Sequence, residues 1–486
     1  MEELERKEKF KKAIHLGNLI VFWIFLIFIF NEKCLIMPFL GDNFGLSFYI
    51  SIIGLPLCLI DLFIMRKANQ EVLKISFWLL ILFLCLLVSS LGMALFYYPD
   101  FNGYFGTNPI EHILFHGLKY LYDIFAFIYC VYSLPLIFKC KHAKTIFDFY
   151  ILGFLIIGFI QLIILVSKSS ALLNIYDKFD FLKILQSKNI LQRIMLNYKV
   201  PRISGYANEP GHNGILLLCL VFPYLFGELI AAHFKKKRFF VYKLLLFIGC
   251  FIFAVLSFSS ALYIAMAIEG VFFMIYIFSS EQVNKNIKII SLSTILFIIF
   301  SLFVINPVRN AIFSSIIKIF DTKDHSSMYH YSTSYNDLLV FFKHPIFGVG
   351  DGNQGYFYFE NIVGTIFGNS VESQNSLVGK NGLLDGGCFV FSSLSGFGIV
   401  GTIAIICFFV YFIRVFSYKP LNKDVKHFLY NTSLILLIFF LMFRSGIHRN
   451  YGAFVTIAFC RVIGGNESKY LFYPNKRASE FVVINI

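Results

Sequence analysis

The sequence predicts an all-α polytopic integral membrane protein with about 12 transmembrane helices, on three observations. Of 486 residues, 58% are hydrophobic and only 14% charged, against roughly 25% charged in an ordinary soluble domain. The apolar residues, led by 62 phenylalanines, fall into continuous runs of about 18 or more, the length a helix needs to cross hydrocarbon. Basic residues recur between alternate runs, as the positive-inside rule requires. A soluble enzyme, a disordered chain and a disulfide scaffold are thereby excluded. The formal charge of +14 would suggest nucleic acid in a soluble protein; spread between membrane spans it is first a topology signal. The ten cysteines contain no C-x-x-C pair, and most lie within apolar runs, where a thiol behaves as a small hydrophobe; neither a disulfide framework nor a metal site is expected.

The candidate spans are 14–30, 46–65, 74–96, 119–138, 146–166, 212–232, 239–258, 261–279, 288–305, 389–413, 425–443 and 450–465. The first has the basic flank Arg6, Lys7 and Lys12, but Asn31, Glu32 and Lys33 stand where a cleavage site needs small residues. It therefore reads as an uncleaved helix with a cytoplasmic N-terminus. Every short even-numbered connection is then basic: Arg66 and Lys67; Lys139, Lys141 and Lys144; 235–238; Lys285 and Lys288; Arg414, Lys419, Lys423 and Lys426; and a tail with Lys469, Lys476 and Arg477. An even span count puts both termini inside. The run 235–238 orients the chain or, alternatively, meets anionic lipid.

The outer connections differ in kind. Segment 167–211 is of medium length and 306–388 is the longest, at 83 residues. Seven of the eleven histidines (His112, His116, His212, His325, His330, His344, His448) and five of the eleven arginines (Arg193, Arg202, Arg309, Arg444, Arg449) fall on or beside that face. Positive charge there runs against the topological bias, and an anionic ligand outside accounts for it. Acids inside the spans are scarce: Asp61, Asp123 and Glu228 sit near ends, leaving Glu269 near a midplane, as a structural hydrogen-bonding group or the lining of a polar cavity. That scarcity argues against an ion-coupled transporter.

Three segments carry the candidate chemistry. Pro201-Arg202-Ile203-Ser204-Gly205-Tyr206-Ala207-Asn208-Glu209-Pro210-Gly211-His212-Asn213-Gly214 runs into the sixth span. Glu209-Pro210 suits a helix start, with proline where its missing N–H costs nothing and a carboxylate near the positive end of the dipole. The same residues bring a cation (Arg202), a base (Glu209) and a neutral donor (His212) to one membrane boundary. In the long loop, Tyr335 to Phe342 suits a short helix that Pro345 ends, and the Gly348-x-Gly350-x-Gly352 spacing permits a tight turn with exposed amides able to bind an anion. Lastly, Glu372-Ser373-Gln374-Asn375, whose amides suit hydroxyl recognition, precedes Ser395-Gly396-Phe397-Gly398-Ile399-Val400-Gly401 at the tenth span.

In order and placement these segments resemble the O-antigen polymerase and ligase superfamily of bacterial surface-polysaccharide assembly. The likeness lies in an Arg-x-x-Gly, three residues, Glu-Pro element (Arg202, Gly205, Glu209, Pro210), a Pro-x-x-Gly-x-Gly turn (Pro345, Gly348, Gly350) late in a large periplasmic loop, and a Gly-x-x-Gly helix start (Gly398, Gly401). It covers roughly 200–410 in motifs and the whole chain in span pattern. Gln374-Asn375 stands where ligases of the family tend to have His-Asn, which favours a polymerase. The family's arginine before the Pro-Gly turn is missing from 326–331, leaving His330, Lys343 or Arg309 as substitutes.

The resemblance implies a single membrane domain over 1–486 of GT-C-like architecture in the bacterial inner membrane, with 167–211 and 306–388 periplasmic. It implies a metal-independent glycosyltransferase, without cofactor, that moves a growing glycan from an undecaprenyl-diphosphate donor to a lipid-linked repeat-unit acceptor, within the lipid bilayer and with a chain-length regulator as a further partner; no nucleic acid is involved. The leaving diphosphate needs cations, for which Arg202, Arg309, Arg444 and Arg449 are candidates because guanidinium forks match phosphate oxygens. The acceptor hydroxyl needs a base: Glu209 first, His330 or His344 second. Lys343, His212, Gly348, Gly350, Gln374 and Asn375 complete the expected substrate contacts. Alternatives are a ligase acting on lipid A core and a lipid-linked-oligosaccharide flippase.

Overall fold

The computed structural model describes residues 70–101, 143–178, 217–234, 240–257, 260–279, 325–362 and 388–415, with isolated positions elsewhere, among them Ile203, Gly205 and Arg309. Their elements are α1 (Gln70–Phe101), α2 (Ala143–Ser167), α3 (Ser170–Lys178), a π-helical turn (Leu217–Val221) leading into α4 (Phe222–Phe234), α5 (Phe240–Leu256), α6 (Ser260–Ser279), α7 (His325–Lys343), a 3-10 turn (Asn353–Phe357), α8 (Tyr358–Ile362) and α9 (Phe389–Val415). No strand occurs among the described residues. Leu80–Tyr97, Phe147–Ser167, Leu262–Ser279 and Phe389–Cys407 are each long and apolar enough to cross a membrane, and Val241–Leu256 is apolar but shorter. The fold is thus α-helical and suited to a membrane, where a helix satisfies its own backbone. Large apolar side chains left exposed along these helices, such as Phe159, Leu245 and Val271, fit the same setting.

These elements fall on the expected spans 74–96, 146–166, 212–232, 239–258, 261–279 and 389–413. The other six expected spans lie largely or wholly outside the described residues. Two local features have clear causes. The π turn ends two residues before Pro223, which has no N–H to return to the preceding turn, so the ladder widens there. Lys168, with φ 49°, ends α2, and Ser169 starts α3 by accepting the Leu172 amide on its Oγ at 3.3 Å.

One packing group comprises α2, α4, α5, α6 and the π turn. Aromatic pairs fill it, with ring centroids 4.6 Å apart for Phe147 and Tyr224, 4.3 Å for Phe154 and Phe253, and 4.5 Å for Phe226 and Phe273. It also holds a buried charge cluster. Lys243 Nζ lies 2.5 Å from Asp148 Oδ1 and 3.9 Å from Glu228 Oε2; it donates to the Tyr224 hydroxyl at 3.0 Å, which donates to Asp148 at 3.2 Å. Asp148 and Lys243 are not among the charges expected inside the spans, yet both are buried there. Each stands a few residues from the end of its apolar run and reads as a flank, until packing buries both.

The second group joins α1, α7, α8 and α9. Leu86 of α1 packs with Phe397 and Ile405 of α9. Two corrections to expectation arise here. The helix expected over Tyr335 to Phe342 begins at His325, because its polar residues Ser332, Thr333, Asn336 and Asp337 are buried and leave no apolar periodicity to read. The tenth span is interrupted: Gly398 has φ 63° and ψ −169° inside α9, so its arms 389–397 and 399–415 are separate helical pieces.

Candidate functional site

The two glycine motifs, treated as separate in the sequence, interlock. The Val349 and Gly350 amides donate to the Ser395 and Gly396 carbonyls at 3.0 and 2.9 Å, and the Ile399 and Val400 amides donate back to the Pro345 and Ile346 carbonyls at 2.8 and 3.3 Å. These last two amides begin the 399–415 arm and would otherwise be the orphan donors of a helix start. Thr402 Oγ1 adds a bond to the Gly398 carbonyl at 2.7 Å. Glycine is required on both sides. Gly348 has φ 70°, and a Cβ there would meet the Ser395 and Gly396 backbone; at Gly398 it would overlap the Ile346 carbonyl.

This arrangement corrects the expectation of exposed, anion-binding amides in the 348–352 turn. The Gly348 amide returns to the His344 carbonyl at 3.1 Å, those of Val349 and Gly350 go to α9, the Asp351 amide donates to Ser90 Oγ at 3.2 Å, and the Asn353 amide closes on Gly350 at 3.1 Å. Gly348 and Gly350 serve close backbone approach.

His344 caps α7 through its own amide, which donates to the Val340 carbonyl at 2.9 Å. Its Nδ1 lies 2.6 Å from the Tyr97 hydroxyl of α1, and its ring meets Tyr97 edge-on at 4.8 Å. Burial, with the Lys343 charge beside it, holds the imidazole below the usual histidine range, which keeps it neutral at pH 7. In one tautomer Tyr97 donates to Nδ1 and Nε2 carries a hydrogen; in the other Nδ1–H donates to the tyrosine oxygen and Nε2 is a base. Lys343, expected to hold phosphate, is 3.1 Å from Glu360 and 3.0 Å from Asn361 Oδ1, so its charge is already shared. His330 is on α7 too, but 13 positions before the helix ends, about 20 Å along the axis; the two histidines offered as bases do not meet. Arg309 is half-buried and helical. Arg202, Glu209, His212, Gln374, Asn375, Arg444 and Arg449 lie outside the described residues.

Beside the interlock lies a buried polar layer that sequence reasoning missed. Asn336 Nδ2 donates to the Gln354 carbonyl at 2.9 Å and its Oδ1 accepts from Asn361 Nδ2 at 3.0 Å; Gln354 Nε2 donates to Ser392 Oγ at 3.3 Å, and the Tyr358 hydroxyl donates to Ser332 Oγ at 2.6 Å. Asp337 and Asp351 are each 1% exposed in the same region. Asn353 Oδ1, Gln354 Oε1 and Ser393 Oγ are buried and accept no hydrogen bond. Such a set of amides, hydroxyls and carboxylates can take donors from a polyhydroxylated ligand. The one sequence signal for it is polar density in α7 and Asn353-Gln354 directly after the glycine turn.

The Arg-x-x-Gly element is anchored independently. Gln161 of α2 grips Gly205 at both ends, Nε2 donating to its carbonyl at 3.0 Å and Oε1 accepting its amide at 2.9 Å. The Ile203 amide donates to the Leu256 carbonyl at 3.3 Å. Gly205 has φ 58° and lies against Phe154 and Phe253, whose rings a Cβ would strike. No protein-family model matches the chain, and no curated protein matches it.

Proposed function

We propose that the chain is an oligosaccharide repeat-unit polymerase of the inner membrane. In this reading about 12 spans of GT-C-like arrangement leave both termini cytoplasmic and turn 167–211 and 306–388 to the periplasm. An undecaprenyl-diphosphate-linked glycan is the donor and a lipid-linked repeat unit the acceptor. The observation that carries the proposal is the docking of the Pro345-Gly348-Gly350 turn onto the Gly398 helix start, beside a buried layer of amides, hydroxyls and carboxylates. Two separate motifs of the resemblance are in contact, next to groups suited to a sugar.

Arg202, with Arg309, Arg444 and Arg449, neutralises the leaving diphosphate, so the reaction needs no metal. Glu209 takes the acceptor proton as its oxygen attacks the anomeric carbon. A neutral His344 is available as a donor or second base. Gln374 in place of histidine favours a polymerase over a ligase.

Arg202→Ala and Glu209→Gln each abolish polymer while leaving the protein level intact. Deletion leaves single repeats attached to core, identified by mass, whereas loss of a ligase would leave polymer unattached. Polymerisation by the purified chain on substrate already on the outer face excludes a flippase. Near-normal chain lengths from both variants overturn the site.

A further inference from the structure

The 344–352 turn is non-helical backbone, and two independent rulers set its depth. The first is α1, whose apolar window ends at Tyr97. Tyr97 touches His344, but Ser90, seven positions further in, receives the Asp351 amide; that is about 10 Å below the end of the window. The second is the 399–415 arm of α9. Its first amides bond to Pro345 and Ile346, and from Ile399 to Arg414, the first charge along the arm, is about 22 Å. An arm of that length starts about 8 Å short of the far edge of a 30 Å hydrocarbon core.

Irregular backbone at such a depth must satisfy its polar groups internally. The amides of Gly348, Val349, Gly350, Asp351 and Asn353 all do so, as do the carbonyls of Pro345 and Ile346. The outer side of the turn is apolar: Phe342, Ile346 and Phe347 are 67%, 57% and 52% exposed. Ile399, Val400, Ile403 and Ile406, exposed on the adjoining arm, continue that surface along the arm.

We propose that 345–353 is a re-entrant element set within the bilayer and that Phe342, Ile346 and Phe347 form a lipid-facing surface whose partner is acyl-chain hydrocarbon. The aqueous loop assigned to 306–388 from sequence is then interrupted by a membrane-inserted turn, whatever reaction the chain performs. The satisfied amides lower the cost of entering hydrocarbon, and the three apolar side chains supply the gain.

The chain has two tryptophans, Trp23 and Trp78, so a reporter is readily isolated. The full chain with both changed to phenylalanine and carrying Phe347→Trp is placed in phosphatidylcholine vesicles with or without bromine on the acyl chains. Phe159→Trp, within the apolar window of α2, sets the full response. The position-347 reporter is expected to lose most of its emission to acyl-chain bromine and to be untouched by aqueous iodide. Quenching by iodide with no response to acyl-chain bromine overturns the proposal. If Phe347→Trp does not fold, Phe342→Trp reads the same surface with the same two outcomes.

Discussion

Charge holds one packing group of this molecule and backbone holds the other. In the first, Lys243 gathers Asp148, Tyr224 and Glu228 from α2 and α4 onto α5, joining unbroken helices through their side chains. In the second, α9 is interrupted, and its pieces are retained by peptide groups of the 345–350 turn. A continuous helix satisfies its own peptides and needs only side-chain contacts with its neighbours; an interrupted one must find backbone partners elsewhere. The two groups should therefore fail in different ways.

Breaking the charge cluster should have the largest effect. Lys243→Met leaves Asp148 buried without its cation, a loss of about 3–5 kcal/mol by equilibrium unfolding in mixed detergent. Adding Asp148→Asn to the same chain should recover part of that loss, which sharpens the contrast, since no second substitution can restore a backbone bond. Gly398→Ala tests the other group. Its backbone, with φ 63° and ψ −169°, is one that essentially only glycine adopts and costs an L side chain about 1–3 kcal/mol, and displacing the Ile346 carbonyl brings the expected total to about 2–4 kcal/mol. The signature is new protease cleavage between α7 and α9 while the Asp148 region stays intact.

Gln161→Ala is a hybrid, a side chain serving a backbone. It leaves the buried Gly205 amide and carbonyl without partners and should cost about 2 kcal/mol, whereas Gln161→Glu keeps only the acceptor. The smallest effect is a pH dependence. Since the His344 pKa is lowered in the folded state, the unfolded chain binds the proton more readily, so stability falls as pH drops through about 6.5 and is regained above it. Thermal unfolding at about pH 8 and about pH 5 should show this trend, and His344→Gln should remove that share of it.

The helices that cross hydrocarbon were legible because a membrane leaves few ways to write them: Phe147–Ser167 and Leu262–Ser279 are uninterrupted apolar runs. The helix start at Gly398 came with the family resemblance, while the break it makes in the expected span 389–413 did not. The interlock was not, since a carbonyl-to-amide bond leaves no mark beyond the glycines that permit it, and Gly348 suits an open anion site as well as a docked turn. Nor was the partnership of Asp148 with Lys243, 95 positions apart, where each looks like the flank of its own span. The polar layer escaped for the opposite reason. Asn336, Asp337 and Gln354 are residues a loop displays to water, and only tertiary packing shows that they are inside.

Gln161 has a consequence beyond its contribution to stability. An amide carries no proton that physiological pH can remove and no net charge for a membrane potential to pull. The fixing of Gly205, three residues after Arg202, is thus insulated from the ionisation of its surroundings. If charge is moved, bound or released near Arg202, the main chain beside it has a fixed point of reference.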